Sequence, residues 1–334
     1  MPRSNQLSYL AIVAPAVKGR PGAGIVWTRL VSVKEGCKTA EKPLFSSAEQ
    51  RFPTLEHSVN EPHPVDCDWT VSPRMKTVVS DDAQLRYEHM PRPGAPALML
   101  INSLGTSLEM WDDQAEDLAE RYELVRYDVR GHGKSTVGSR AELTLEQLAQ
   151  DGIAVLDACG IARAHLCGIS LGGMTAMAIA QRWPDRALKL VIANTSAHMP
   201  PRETWQARIE SVLSQGMSAV TEATLGRWFT PRFHGEHAER VDKIRQLLLS
   251  TDPRGYAACA AAIRDMDIRE SISSITAQTL VIAGAQDAGT TPAQAEFIVG
   301  KIAGAKIVTL DCAHLSNVEC AAEFNTALRE FLAA

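Results

Sequence analysis

The chain has 334 residues, 45% of them hydrophobic and 22% charged, enough to build one large or two ordinary globular domains with a deep, water-excluding site. Its formal net charge of -5 provides no basic face for nucleic acid and no polybasic patch for anionic lipid. No run approaches the roughly 18 apolar residues of a membrane span, and the cysteines at 37, 67, 159, 167, 259, 312 and 320 are odd in number and widely spread, with neither a disulfide framework nor metal-ligand spacing, so the expected compartment is a reducing cytoplasm.

Residues 1–74 keep no sustained period of 2 or 3.6 and are broken by Pro15, Pro21, Pro43, Pro53, Pro62, Pro64 and Pro73, which reads as a poorly ordered extension. The apolar stretch Leu7 to Val17 is short and lacks a convincing cleavage site, so it is not read as a signal peptide. Met75 is a candidate start of translation, with the preceding segment then an upstream reading extension.

From Met75 the texture changes. Lys76 to Ser80 and Leu85 to His89 predict a strand pair turning at Asp81-Asp82, and Ala97 to Asn102 a continuous apolar strand. A helix is expected over Trp111 to Ala119, a strand over Glu123 to Asp128, and a helix over Thr144 to Ala158 with Thr144 and Gln147 as a capping box. The strand Ala164 to Gly168 leads into a helix ending near Trp183-Pro184, and another strand spans Leu188 to Ala193. Residues 197–269 then read as several amphipathic helices, after which come a strand at Thr279 to Gly284, a helix at Thr291 to Lys301, a strand at Lys306 to Leu310 and a closing helix from about Asn317 to Leu332. This alternation predicts an α/β fold with a mostly parallel central sheet and helices on both faces. The helical insertion is expected to form a lid over the carboxyl ends of the strands, where open parallel sheets bind their ligands.

The run Gly168-Ile169-Ser170-Leu171-Gly172-Gly173 sits where a strand must turn sharply into a helix. A serine at such a strained turn exposes its hydroxyl, and small neighbours let strand and helix approach closely. The hydroxyl is a poor nucleophile until a base takes its proton. His314 lies just beyond the last predicted strand, in Asp311-Cys312-Ala313-His314-Leu315-Ser316, and Asp287 occupies the matching loop after the preceding strand. Ser170, Asp287 and His314 thus fall at three strand ends in the chain order serine, acid, histidine of the α/β-hydrolase fold.

Two rival acids also lie near strand ends. Asp311 is too close in sequence to His314 to reach its ring from across a neighbouring strand, and Asp128 is expected to pair with Arg130 within the turn Tyr127 to Ser135, leaving His132 a supporting role. Acyl chemistry needs donors aimed at the developing oxyanion. The amide of Leu171, next after the serine, should supply one, and the amide of Leu104, in Asn102-Ser103-Leu104-Gly105-Thr106, the other.

That loop, Arg126-Tyr127-Asp128-Val129-Arg130-Gly131-His132-Gly133, the serine turn, Arg227-Trp228-Phe229-Thr230-Pro231, Gly255-Tyr256-Ala257-Ala258-Cys259, Arg264-Asp265-Met266-Asp267 and Ala313-His314-Leu315-Ser316-Asn317 together resemble 3-oxoadipate enol-lactonase, also called β-ketoadipate enol-lactone hydrolase. The resemblance runs from Met75 to the end and includes lid segments, where hydrolases of this fold vary most. Residues 1–74 have no counterpart in it, and the carboxymuconolactone decarboxylase domain fused to some members is not expected after the last predicted helix.

The resemblance implies lactone hydrolysis in bacterial aromatic catabolism through a Ser170-Asp287-His314 triad and an acyl-enzyme, with no metal or organic cofactor. The partner it implies is a small lactone bearing a carboxylate, which calls for a cation near the lid. Arg227 and Arg264 are the candidates, each with a structural or solvated role as the alternative, and Trp228 is a candidate wall of the pocket. A broader carboxylesterase or a carbon-carbon bond hydrolase would use the same triad, and a hydrolase-fold ligand sensor would retain it for single-turnover chemistry.

Overall fold

The computed structural model describes residues 74–334. The expected poorly ordered extension over 1–74 therefore lies outside the described residues, apart from Arg74. β1 (Arg74–Ser80) and β2 (Ala83–Met90) form an antiparallel hairpin whose turn takes Asp81 to a φ of 53°. β3 (Ala97–Ile101) is buried at every position, the burial expected of an unbroken apolar run in the middle of a covered sheet. A single 3-10 turn at Leu108–Trp111 opens α1 (Asp112–Leu118), and β4 (Glu123–Tyr127) follows.

α2 (Leu145–Ala158) begins with the expected capping box: Gln147 donates its amide to Thr144 Oγ1 at 3.3 Å, and the Thr144 amide donates to Gln147 Oε1 at 2.8 Å. β5 (Ala164–Ile169), α3 (Leu171–Arg182) and β6 (Ala187–Ala193) complete the first run of alternation. The insertion between β6 and β7 holds five helices, α4 (Arg202–Gln215), α5 (Ser218–Trp228), α6 (Pro231–Glu236), α7 (Ala238–Ser250) and α8 (Pro253–Asp265). β7 (Gln278–Gly284), α9 (Pro292–Lys301) and β8 (Lys306–Leu310) resume the alternation. The closing segment is two helices and not one: α10 (Ser316–Glu319) stops at Cys320, whose φ of -118° and ψ of 49° break the helical path before α11 (Ala321–Ala333).

The eight strands are ordered β1-β2-β4-β3-β5-β6-β7-β8, with β1/β2 and β2/β4 antiparallel and every other pairing parallel. Because β4 lies on one side of β3 and β5 on the other, the connections out of β3 and β5 diverge. Such a switch point opens a crevice at the carboxyl ends of the two strands. The loops bearing Leu104 and Ser170 leave the sheet there. Among the described residues no helix is long and apolar enough to cross a membrane.

The turn after β4 differs from expectation in one respect. Arg130 does not pair with Asp128; its guanidinium crosses to Asp151 on α2 at 2.7 and 2.9 Å and to Asp82 at 2.7 Å. Asp128 instead accepts the amides of Leu108 at 2.8 Å and Lys134 at 2.9 Å. Gly133, at a φ of 53°, turns the loop so tightly that any Cβ there would strike the Asp128 carboxylate, which closes that carboxylate inside the turn.

Candidate active site

Ser170 stands between β5 and α3 with φ 56° and ψ -117°, a conformation that costs a non-glycine residue about 1–3 kcal/mol. The surrounding structure enforces it. The Ser170 amide donates to the Ala193 carbonyl at 3.0 Å, and the Ser170 carbonyl accepts from Thr195 Oγ1 at 2.8 Å and from the Met174 amide at 3.0 Å. A Cβ on Gly168 would fall against the Gly172 carbonyl, and one on Gly172 against the Ile101 carbonyl, so the strand-to-helix approach at this turn admits only glycine at both positions.

Asp287 follows β7 and His314 follows β8, and the two side chains meet: Nδ1 of His314 lies 2.7 Å from Oδ2 of Asp287. The same carboxylate accepts the amides of Gly289 at 2.8 Å and Thr290 at 3.0 Å on Oδ1, and Thr290 Oγ1 at 2.7 Å and Asn194 Nδ2 at 3.0 Å on Oδ2. Burial on its own would raise the Asp287 pKa, but the His314 ring and these donors outweigh it and hold the group far below the usual carboxylate range. The Asp287 carboxylate is thus favoured in its ionised form, an acceptor facing His314 Nδ1. Asp311 makes its contact elsewhere, accepting from Gln286 at 2.8 Å.

Ser170, Asp287 and His314 border one cavity of about 180 Å³, together with Leu104, Trp228 and Arg227. This is smaller than the about 300–1,000 Å³ that serves drug-sized ligands, so it suits a molecule of one small ring. The Leu104 amide has no acceptor among the described residues, and the Leu171 amide, first in α3, has none within its helix. Leu104 lines the cavity, whereas Leu171 is buried directly behind Ser170 and is not among the lining residues. The Trp228 ring lies nearly parallel to the His314 ring, with an interplanar angle of 16° and centroids 6.5 Å apart.

Arg264 is not brought to this cavity. Its guanidinium is spent on Gln206 Oε1 at 2.6 Å, on Asp265 and on Glu142 at 3.0 Å. His132 is also elsewhere, fully buried with Nδ1 3.0 Å from the Arg130 carbonyl, and burial pushes its pKa down to about 4. Among the described residues no group of three or more His, Cys, Asp and Glu side chains could hold a metal ion.

Several lining or supporting residues escaped the sequence reading, Thr290, Asn194, Arg208 and Tyr256 among them. Thr290 Oγ1 donates to Asp287 Oδ2 at 2.7 Å and lies 3.2 Å from His314 Nδ1. Asn194 bonds both Asp287 and, at 3.1 Å, the Ala313 carbonyl beside His314, while Ser316 Oγ donates to its Oδ1 at 2.6 Å. The signal for Asn194 was its place directly after β6, the strand beside the one that carries Asp287. Arg208 and Tyr256 line the cavity from the insertion.

A family model described as the alpha/beta hydrolase fold matches residues 96–320. The chain is 37% identical over 252 residues to 3-oxoadipate enol-lactonase 2 of Acinetobacter baylyi, covering 75% of this chain and 94% of that one. It is 38% identical over 225 residues to 3-oxoadipate enol-lactonase 1 of the same organism, covering 67% and 84%. The crystal structure of the enol-lactonase from Burkholderia xenovorans superposes with a TM-score of 0.76 at 36% identity, covering 78% of this chain and 100% of that one. The chain belongs to the α/β hydrolase family and, within it, groups with the 3-oxoadipate enol-lactonases.

Proposed function

We propose that the protein hydrolyses 3-oxoadipate enol-lactone to 3-oxoadipate, a step of aromatic-compound degradation, by acyl transfer through Ser170, His314 and Asp287. The observation that carries this reading is the 2.7 Å contact between His314 Nδ1 and Asp287 at the wall of the same small cavity that Ser170 borders. An imidazole that donates its Nδ1–H in a hydrogen bond to a carboxylate presents a bare Nε2, the form that accepts a proton from a hydroxyl. The lactone as substrate is supported by the relatives named for it and by a cavity suited to one small ring.

In the proposed course Ser170 Oγ bonds to the ring carbonyl carbon while its proton passes to His314 Nε2. The carbonyl oxygen takes the negative charge and accepts the amides of Leu104 and Leu171, donors worth about 3–4 kcal/mol each in such sites. The ring C–O bond then breaks, His314 protonates the departing enol oxygen, and the enol tautomerises to the ketone. Water deprotonated by His314 attacks the acyl carbon, and Ser170 leaves with that proton. The helical insertion serves as the lid that keeps bulk water from the acyl-enzyme.

The purified chain should remove the enol-lactone absorbance over many turnovers, and Ser170→Ala should abolish that loss while melting cooperatively. Activity in Ser170→Ala above about a thousandth of wild type, or an inert lactone beside turnover of simple esters, overturns the proposal. A stoichiometric burst with no further turnover would identify a ligand sensor instead.

A further inference from the structure

The two amides proposed to donate to the oxyanion belong to the peptide units Ser103-Leu104 and Ser170-Leu171. In a planar trans peptide the C=O and N–H bonds point to opposite sides, so whatever holds the carbonyl oxygen also aims the N–H. Each of these carbonyls is held by a threonine hydroxyl. Thr106 Oγ1 donates to the Ser103 carbonyl at 2.8 Å, and Thr195 Oγ1 donates to the Ser170 carbonyl at 2.8 Å. Thr106 lies in the same loop as the peptide it holds, whereas Thr195 follows β6 and reaches across to the end of the neighbouring strand, β5.

Both threonines are buried. Neither hydroxyl is needed to complete its turn, because backbone bonds already do so: the Thr106 amide donates to the Ser103 carbonyl at 3.3 Å, and the Met174 amide donates to the Ser170 carbonyl at 3.0 Å. What the hydroxyls add is direction. Thr106 Oγ1 also lies 2.9 Å from the Met110 sulfur, but a thioether is the weaker acceptor, so the single hydroxyl proton goes to the carbonyl. The same sulfur accepts the Ser103 amide at 3.4 Å, which fixes the peptide on the other side of Ser103 as well. Thr195 is wedged against the start of α3, where a Cβ on Gly173 would fall 2.8 Å from Thr195 Cβ. A β-branched side chain packed in this way is stiff at χ1, so its hydroxyl is held in one direction. A hydrogen bond accepted by a peptide oxygen also polarises the unit and makes its N–H a stronger donor.

We propose that Thr106 and Thr195 are positioning residues that aim the Leu104 and Leu171 amides at the oxyanion of the Ser170 adduct and strengthen them as donors. Neither threonine lines the cavity, and each acts only through the peptide whose carbonyl it holds. Donors set in place before the charge develops cost no reorganisation at the moment of reaction. This rests on the reading of Ser170 as the nucleophile but not on the identity of the lactone.

The test uses the full chain with 4-nitrophenyl acetate as substrate and 1,1,1-trifluoro-2-butanone as inhibitor, a ketone whose adduct with a serine hydroxyl carries the oxyanion. Valine keeps the shape of threonine and loses the hydroxyl, while one backbone bond to each carbonyl survives. Thr106→Val and Thr195→Val should therefore each lower kcat about tenfold, less than the about 100- to 1,000-fold lost when an oxyanion donor is removed outright, with KM within about threefold of wild type. The inhibition constant of the ketone should rise by about the same factor, since an analogue of the transition state uses the same donors. Thr106→Ser and Thr195→Ser keep the hydroxyl and should restore most of both losses. The acidic limb of the kcat/KM profile, set by His314, should not move in any variant. Folded Val variants with wild-type kcat and wild-type ketone affinity overturn the proposal, and so does a loss that serine fails to restore or that moves the acidic limb, the marks of a site loosened as a whole. Should a Val variant fail to melt cooperatively, Thr→Ala is compared with Thr→Ser at that position by the same criteria. Absence of 4-nitrophenol release by wild type would refute Ser170 as nucleophile and the threonine role with it, whereas wild-type turnover with unaffected variants refutes the threonine role alone. An inert enol-lactone beside the expected losses on the ester would refute the lactone and leave the threonine role standing.

Discussion

Asp287→Asn should remove nearly all activity by reversing the tautomer of His314. The carboxylate has two distinct ends: Oδ1 is claimed by the amides of Gly289 at 2.8 Å and Thr290 at 3.0 Å, and Oδ2 faces His314, Thr290 Oγ1 and Asn194 Nδ2. The two backbone donors cannot turn away, so the asparagine oxygen must take their side. Its NH₂ group then points at His314 Nδ1 and donates to it, which puts the ring proton on Nε2, the nitrogen that has to receive the serine proton. Loss of the correct tautomer costs about 10,000-fold in kcat in triads of this type, or about 5–6 kcal/mol in the barrier. The new NH₂ also faces Asn194 Nδ2, donor against donor, so stability should fall by about 1–3 kcal/mol. Lactone turnover and thermal unfolding of the variant measured side by side check both figures. A folded Asp287→Asn enzyme within tenfold of wild-type kcat would refute the assignment of His314 as base and Asp287 as its orienting partner.

Two further outcomes follow from the same geometry. Ser170→Gly should be inactive yet more stable than wild type by about 1 kcal/mol, since it releases the cost of φ 56° and ψ -117° and gives back part of it as glycine's greater freedom when unfolded; a thermal midpoint at or below wild type would show that no strain is stored there. His132 is neutral in the folded state with its pKa down at about 4, against 6.5 for the free side chain, so the unfolded chain takes up a proton first as pH falls. Its contribution is complete above about pH 6.5 and is lost progressively towards pH 4, about 3 kcal/mol in all, and His132→Asn should flatten the urea-unfolding free energy over that window; equal pH slopes in both proteins would refute this.

The parts of the site that were legible in the sequence are those fixed by backbone topology. Ser170, Asp287 and His314 follow β5, β7 and β8, so recognising the strands was enough to bring the three loops to one edge of the sheet. What the sequence did not show depends on helical phase within the insertion. On α4, Thr204, Trp205 and Arg208 share one face and line the cavity, whereas Gln206, two residues from Arg208, points the other way and bonds Arg264. On α8, Tyr256 and Ile263 face the cavity at a spacing of two turns, and Arg264, one residue on, is rotated out of it. The choice between Arg264 and Arg208 as a cavity cation therefore turns on a rotation that only packing between α4 and α8 determines. The Asp128–Arg130 pairing failed for a related reason: the acceptor for Arg130, Asp151, lies on the next helix, and no local spacing records that approach.

The insertion and the histidine loop are tied at one point, which bears on how grip and chemistry are coupled. The Trp228 carbonyl, at the end of α5, accepts the amides of both His314 and Leu315 at 3.1 Å. Glu319 adds a second tie by accepting the Ala313 amide at 2.9 Å and the Thr230 amide at 3.2 Å. Arg227 directly precedes Trp228, so the residue that brings a positive charge into the cavity is one peptide from the carbonyl that anchors the His314 backbone. Any displacement of the α5 end large enough to withdraw Arg227 must lengthen those bonds and loosen His314 against Asp287. Among the described residues the α4 side of the cavity shows no such hydrogen-bonded tie to the His314 loop, and Thr204 there is exposed. The two halves of the insertion therefore bear unequally on the placement of His314.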